Sequence, residues 1–233
     1  MQESGGHTLK AFDEDIDRLR ALICEMGGLA EHAIGEAMRA LMQRDLAGAR
    51  AVVEADARLD ALEAEAEAGV IRLLALRAPM ADDLRDAVAA LKIAAVVERI
   101  GDYAKNIAKR VSSFEGRGRI APLSMLPAMA GIAAEMVHNV LDAFVERDAA
   151  KARAVCERDR ALDDFYNSIF RALLTFMMEN PQNITEAAHL LFVARNLERI
   201  GDHATNIAEM VHYAATGERL ADRQKGHDPE GGE

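Results

Sequence analysis

The chain has 233 residues, of which 50% are hydrophobic, and its 39 acidic and 28 basic residues give a formal net charge of −11. This length supports a substantial core, and the acidic charge argues against nucleic-acid binding, which needs a basic surface. The first ten residues are too polar for a signal peptide, and no long uncharged apolar run predicts a membrane span. We therefore expect a cytoplasmic globular protein.

The composition, rich in Ala, Leu and Arg and without Trp, predicts an all-α protein. Prolines and glycines separate six long segments that have helical periodicity. In chain order, we predict helices at residues 10–44, 46–77, 83–113, 123–146, 149–178 and 183–215. The polar ends of the chain, residues 1–9 and 217–233, are predicted to be disordered.

The chain contains an internal duplication. ERIGDYAKNIA at residues 98–108 recurs as ERIGDHATNIA at residues 198–208. RDLAGARAVVEADARLD, which starts at Arg44, aligns in the same way with RDAAKARAVCERDRALD, which starts at Arg147. Because the match extends beyond one motif, a whole three-helix unit is duplicated. We predict two tandem, internally duplicated three-helix bundles at residues 10–115 and 123–216, joined by a linker at 116–122.

The third helix of each bundle has an apolar stripe that we expect to face the core. Its members are Ile93, Val97, Ile100, Ala104, Ile107 and Val111 in one copy and Val193, Leu197, Ile200, Ala204, Ile207 and Val211 in the other. Asp83 and Asn183 are predicted to cap the starts of these helices. Gly101 and Gly201 lie within them and predict the close approach of another helix or a ligand.

Four pairs of carboxylates are spaced by four residues, two pairs in each half: Asp56 with Asp60, Glu98 with Asp102, Asp159 with Asp163, and Glu198 with Asp202. Those on the third helices are predicted to project away from the core. Neighbouring antiparallel helices would bring the two pairs of each half together. Carboxylates at this spacing repel each other, so either Arg99 and Arg199 or a metal ion should offset their repulsion. Carboxylate oxygens suit hard divalent cations. A solvated acidic surface and a metal site both remain open.

A second constellation is the E-x-x-H spacing of Glu135 with His138, Glu186 with His189, and Glu209 with His212. Such pairs occur in di-iron helical bundles, so a metal-storage or di-iron protein is an alternative class. These pairs do not match between the two halves, which argues against it. The sequence has no P-loop, dinucleotide glycine motif or nucleophile elbow, and we expect no enzymatic activity.

Several stretches together resemble the PhoU family, bacterial accessory regulators of phosphate uptake. They are MGGLAEHAI, RAPMADDLR, both copies of ERIGD, LDAFVERD and LTFMMENPQNI, and the resemblance covers roughly residues 10–217. It implies a cytoplasmic homodimer that shuts off the phosphate-starvation response, the Pho regulon, when phosphate is ample. The protein would be a non-enzymatic adaptor between the ATPase of a phosphate ABC transporter and a phosphate-sensing histidine kinase, reaching the membrane only through these partners.

The resemblance also implies metal binding at the paired carboxylates. Candidate ions are Fe, Zn, Mn and Mg, and the candidate ligands are Asp56, Asp60, Glu98, Asp102, Asp159, Asp163, Glu198 and Asp202. Within the repeated motif, His203 stands where the first copy has Tyr103, so the two sites need not be equivalent.

Overall fold

The computed structural model describes residues 4–114 and 121–220, which form six long α-helices. These are α1 (Ser4–Gln43), α2 (Leu46–Arg77), α3 (Asp82–Lys109), α4 (Leu126–Glu146), α5 (Ala149–Glu179) and α6 (Ile184–Thr216). Short 3-10 helices occupy Val111–Phe114, Ala121–Met125 and Pro181–Asn183, and the described ranges contain no strand. The prediction of an all-α protein with six long helices is confirmed.

The helices form two groups of three that pack side by side. In the first bundle α1, α2 and α3 contact one another, and in the second α4, α5 and α6 do the same. The bundles meet where α3 packs against α6 and α1 against α4. Because Arg110, just after α3, contacts His189 and Phe192 in the first half of α6, these two helices are antiparallel. One hydrophobic core runs through both bundles.

The predicted apolar stripes of α3 and α6 form the centre of each bundle. Every residue of both stripes is buried, and most are fully inaccessible to solvent. On α2, Val52, Leu59, Leu62 and Leu73 are buried between the helices of the first bundle. Full burial of one such aliphatic side chain stabilises the fold by about 1.5–3 kcal/mol, so these stripes determine which helix faces point inward.

The helix starts differ from the predictions. Asp83 does not cap α3, because the helix begins at Asp82 and the cap position belongs to Ala81, which has a φ of 49° and makes no side-chain cap bond. Asn183 does stand at the start of α6, but its side chain donates to the carbonyl of Phe176 instead of capping.

Side-chain caps occur instead at the second helix of each bundle. Asp45 accepts a hydrogen bond from the backbone N–H of Gly48 at the start of α2. Asp148 accepts from two backbone N–H groups at the start of α5. These two aspartates occupy equivalent positions of the repeat, so the duplication has kept the cap.

The chain ends and the linker overlap only in part with the described residues. α1 begins at Ser4, inside the segment predicted to be disordered. The prediction of a linker at 116–122 falls largely on residues 115–120, which lie outside the described residues, as do residues 221–233 of the predicted disordered tail.

One segment, Leu123–Glu146, is long and apolar enough to cross a membrane by length and composition. Half of its most apolar window is buried inside the protein. Met129, Val137 and Val140 are fully buried against neighbouring helices. Packing in the core therefore accounts for the apolar composition of α4.

Candidate functional site

The first acidic cluster consists of Asp56 and Asp60 on α2 and Glu98 and Asp102 on α3. Burial raises the pKa of Glu98, and the negative charges of Asp102, Asp60 and Asp56 raise it further. The four predicted side chains of this half are therefore close together. Asp102, predicted to project away from the core, is 42% exposed, whereas Asp56 on α2 is only 8% exposed because it lies in the groove between α2 and α3.

Gly101 explains how α2 comes so close to α3. A Cβ atom at this position would stand 2.2 Å from Cδ2 of Leu59, so only glycine lets the leucine of α2 lie against the backbone of α3. The predicted close approach of a helix is thus confirmed. It also brings Asp56, one turn before Leu59, over the α3 surface.

Lys105 neutralises part of the first acidic cluster. Its ammonium group contacts the carboxylates of both Asp56 and Asp102. Hydrogen bonds to these two groups raise the pKa of the lysine above its usual value. Lys105 was not among the predicted site residues, although its spacing of three residues from Asp102 is typical of a helical ion pair.

The second acidic cluster consists of Asp159 and Asp163 on α5 and Glu198 and Asp202 on α6. Asp159 is 1% exposed and the Glu198 side chain 13%. Arg195 donates to Oε1 of Glu198 at 2.9 Å, whereas Oε2 is buried and has no hydrogen-bond partner among the described residues. Burial raises the pKa of Glu198 to about 7. Asp202 and Asp163 add to this shift, and Arg195 opposes it.

The two clusters differ at one equivalent position. Thr205 stands where the first bundle has Lys105, and its hydroxyl donates to the backbone carbonyl of Asp202 at 2.7 Å. This position therefore supplies a cation to the first cluster and none to the second. The pKa of Glu198 is raised chiefly by burial, and Asp202 adds to the shift, so the absence of a lysine at position 205 is a separate difference between the clusters.

The donor chemistry of both clusters fits a hard divalent cation, since all eight predicted ligands are carboxylates. In the part of the chain that the structure describes, however, no three Asp, Glu, His or Cys side chains are already placed to hold a metal ion. A bound ion would need the carboxylates to move together. The eight metal ligands therefore remain a prediction.

The three E-x-x-H pairs do not assemble into one site. Glu135 forms an ion pair with Arg158 on α5, and His138 lies 3.4 Å from a carboxylate of α1. His189 packs edge-on against Phe114. His212, at the far end of α6 from His189, is buried and faces Arg153. The described residues thus lack the inward-facing Glu and His set of a di-iron bundle.

Equivalent residues of the two repeats meet where α3 crosses α6. The rings of Tyr103 and His203 are stacked with centroids 5.3 Å apart, and Nε2 of His203 lies 3.2 Å from the Tyr103 hydroxyl. Arg199 lies over the Tyr103 ring, 5.8 Å from its centroid. Burial lowers the pKa of His203, and the charge of Arg99 lowers it further. Of the cations considered as partners for the carboxylates, neither Arg99 nor Arg199 forms an ion pair with them among the described residues, whereas Lys105 and Arg195 do.

These features define the class of protein. It is a duplicated pair of three-helix bundles, packed against each other, with an acidic cluster between the second and third helix of each bundle. The PhoU domain family matches the chain twice, over residues 23–111 and 126–211. The chain therefore belongs to the PhoU family.

Full-length relatives agree with this assignment. The phosphate-specific transport system accessory protein PhoU homolog of Zymomonas mobilis subsp. mobilis is 54% identical over 223 residues, covering 96% of this chain and 94% of the relative. The homolog of the same description from Caulobacter vibrioides is 47% identical, covering 94% and 95%. The crystal structure of PhoU from Pseudomonas aeruginosa superposes with a TM-score of 0.84 at 35% identity, covering 89% of this chain and all of that one.

Proposed function

We propose that this protein is a regulatory accessory protein of a phosphate-specific transport system. The observation that carries the proposal is the 54% identity to such an accessory protein along nearly the whole of both chains, which includes both bundles. The protein acts without catalysis, as a cytoplasmic homodimer. It conveys the state of a phosphate ABC transporter, through the transporter's ATPase, to a phosphate-sensing histidine kinase and so keeps the phosphate-starvation response off when phosphate is ample.

The fold suits an adaptor. The packing of α3 against α6 and of α1 against α4 holds the two bundles together. Large exposed apolar side chains, including Met80 and Met178, lie at the ends of the helical hairpins. Broad rigid surfaces of this kind serve binding between proteins more readily than chemistry on a small substrate.

Metal binding at the acidic clusters is a second part of the proposal. The second acidic cluster is expected to bind a divalent or iron ion more tightly than the first, because Lys105 contacts two carboxylates of the first cluster, whereas Arg195 pairs with Glu198 of the second. Ionisation of Glu198 opposite a bound cation would remove the cost of its burial. A metal-storage or di-iron function gains no support, because its Glu and His residues lie apart.

Deletion of the gene tests the regulatory function. In phosphate-rich medium, transcription from phosphate-regulated promoters should rise to the level that wild-type cells reach only in starvation. Expression of the intact chain from a plasmid should restore repression. Unchanged repression in the deletion strain would contradict the proposal, provided that the genome holds no second copy of the gene.

Metal titration tests the candidate ligands. Mn²⁺, Fe²⁺ and Zn²⁺ are titrated by calorimetry into metal-free wild-type protein and into the Asp102→Ala and Asp202→Ala variants. The Asp202→Ala change should weaken binding by at least about tenfold, because it removes a charged ligand, and Asp102→Ala should have a smaller effect. Glu157→Gln, which removes an exposed carboxylate of α5 outside both clusters, is the control. Equal affinities in all four proteins would exclude these carboxylates as ligands.

A further inference from the structure

A basic strip follows the seam between α3 and α6. Tyr103 and Arg110 contact α6 across the seam, and helical spacing of three or four residues from them places a set of positions from 92 to 110 of the first repeat, and from 192 to 210 of the second, on the same face. These positions include Lys92, Arg99, Arg110 and Arg199 and no carboxylate. This composition is unusual in a chain with a net charge of −11.

The central arginines of this basic strip are available to an external anion. Arg99 and Arg199 are exposed, and among the described residues neither forms an ion pair with a carboxylate. Arg199 is held in place over the ring of Tyr103. The guanidinium groups therefore retain most of their capacity for charge-assisted hydrogen bonds.

Aromatic side chains accompany the arginines. Phe192 is 54% exposed, and Arg110 lies 4.5 Å from the centroid of its ring. Tyr103 and His203 form a flat stacked surface at the centre of the strip. Arginine together with aromatic residues is the composition that is enriched at the energetic centres of protein–protein interfaces.

The length and the surroundings of the strip indicate what it binds. Eighteen residues of helix separate Lys92 from Arg110, which corresponds to about 27 Å, far longer than a single small anion. The two acidic clusters flank the strip, one beside α2 and the other beside α5. A partner is therefore attracted when its carboxylates lie along the centre line and repelled when they lie to either side.

We propose that the basic strip is the docking surface for an acidic segment of a partner protein. Arg99 and Arg199 each bind a carboxylate of the partner, and Phe192 and Tyr103 provide the apolar contact. The inference rests on the proposed function for the identity of that partner, which is the transporter ATPase or the cytoplasmic part of the histidine kinase.

The test compares two charge-matched double variants of the full chain. Arg99→Gln with Arg199→Gln removes the central charges of the strip. Arg58→Gln with Arg158→Gln removes two exposed arginines, 57% and 44% accessible, from α2 and α5. Binding of each protein to the purified cognate ATPase and to the purified kinase domain is measured by biolayer interferometry at two salt concentrations. Thermal unfolding of all proteins confirms that they are folded.

The strip variant should raise the Kd for at least one partner by about tenfold and reduce its salt dependence, since two carboxylate contacts are lost. The control variant should change the Kd by less than about twofold. If wild-type protein binds neither partner, the proposed function is overturned and the inference with it. If wild type binds and the strip variant binds equally well, the inference alone is overturned. A change only in oligomeric state, measured by light scattering, would also overturn it and assign the strip to a second copy of the chain.

Discussion

Single residues give the two acidic clusters different electrostatics, although the clusters descend from one duplicated unit. Lys105 crosses from α3 to the Asp56 carboxylate of α2, whereas its equivalent, Thr205, bonds to its own helix. In the first acidic cluster Lys105 thus contacts two carboxylates, whereas in the second Arg195 pairs with Glu198, whose pKa burial raises to about 7. Replacement of Glu198 and of Lys105 should therefore have measurable effects on stability.

Replacement of Glu198 by Gln should change how stability depends on pH. A carboxyl group whose pKa rises from 4.5 to about 7 on folding holds its proton more tightly in the folded state. The free-energy cost of burying the ionised carboxylate is therefore absent below pH 4.5, grows as the pH rises towards 7, and is constant above that pH. The difference corresponds to about 3 kcal/mol at most. Urea unfolding in EDTA should show Glu198→Gln to be more stable than wild type at pH 8 but not at pH 4.

The matched control for this change is Glu157→Gln, which removes an exposed carboxylate from α5. It should leave the pH dependence of the unfolding free energy as it is in the wild type. If the unfolding free energy of Glu198→Gln depends on pH as that of wild type does between pH 4 and pH 8, ionisation of the buried Glu198 does not destabilise the folded protein.

Replacement of Lys105 by Thr should make the first acidic cluster resemble the second. The change leaves the Asp56 side chain, 8% exposed, without its ammonium partner, which should cost about 2 kcal/mol of unfolding free energy. Millimolar Mn²⁺ should recover part of this loss, because a cation can then take the place of the ammonium. Lys109→Thr, an exposed change on the same helix, is the control. A Lys105→Thr protein that Mn²⁺ stabilises no more than the control would contradict the expectation.

At the scale of elements, the approach of α2 to α3 and of α5 to α6 depends on one glycine in each pair. A Cβ atom on Gly201 would stand 2.2 Å from Cδ2 of Leu162, which is fully buried, and 3.2 Å from Oδ1 of Asp159. The glycine costs helix stability but lets the neighbouring helix pack closely. Local propensity and packing therefore act in opposite directions at this position.

This opposition predicts effects of opposite sign for two Gly→Ala changes. Gly201→Ala should lower the unfolding free energy by about 1 kcal/mol, because overpacking costs about 1–3 kcal/mol and the gain in helix propensity is about 1 kcal/mol. Gly131→Ala, on the exposed side of α4 with no atom within 4 Å of the added Cβ, should raise it by up to about 1 kcal/mol. Chemical denaturation followed by circular dichroism measures both. Two changes of the same sign would disprove the packing role of Gly201.

At the scale of the whole molecule, an ion-pair triad joins the two bundles. Asp86 on α3 is 8% exposed and lies 3.3 Å from Arg20 of α1 and 3.1 Å from Arg147, which follows α4. Together with the continuous core, this triad connects the first bundle to the end of the first helix of the second. The two bundles should therefore unfold as one cooperative unit.

The Asp86→Ala change should lower the unfolding free energy by about 1–2 kcal/mol, because it removes the ion pairs with both arginines, although Arg20 keeps Asp17 as a partner and Arg147 is 43% exposed. Asp82→Ala removes a carboxylate that is 70% exposed and should cost less than about 1 kcal/mol. Unfolding is followed by circular dichroism and by hydrogen exchange. Two separate transitions in the wild type, or equal effects of the two changes, would contradict a shared cooperative unit.

Much of this architecture followed from local patterns in the sequence. Helical periodicity identified the six helices and the buried stripe from Ile93 to Val111, because the same three- and four-residue spacing that closes a helical turn also defines its faces. The duplication indicated two equivalent bundles, and the shared motifs indicated the family. The acidic pairs were found for the same reason, since each lies within one helix.

Only the tertiary structure decided how these faces are used. The reach of Lys105 to Asp56, the stacking of Tyr103 on His203 and the pairing of Asp86 with Arg147 join residues 49, 100 and 61 positions apart. Such contacts depend on how far one helix is rotated and how closely it approaches another. Helical spacing along one segment carries no information on either quantity. The sequence by itself therefore determined the helices, their inner faces and the family, whereas long-range packing decided that the carboxylates face a groove and that the arginines line the seam.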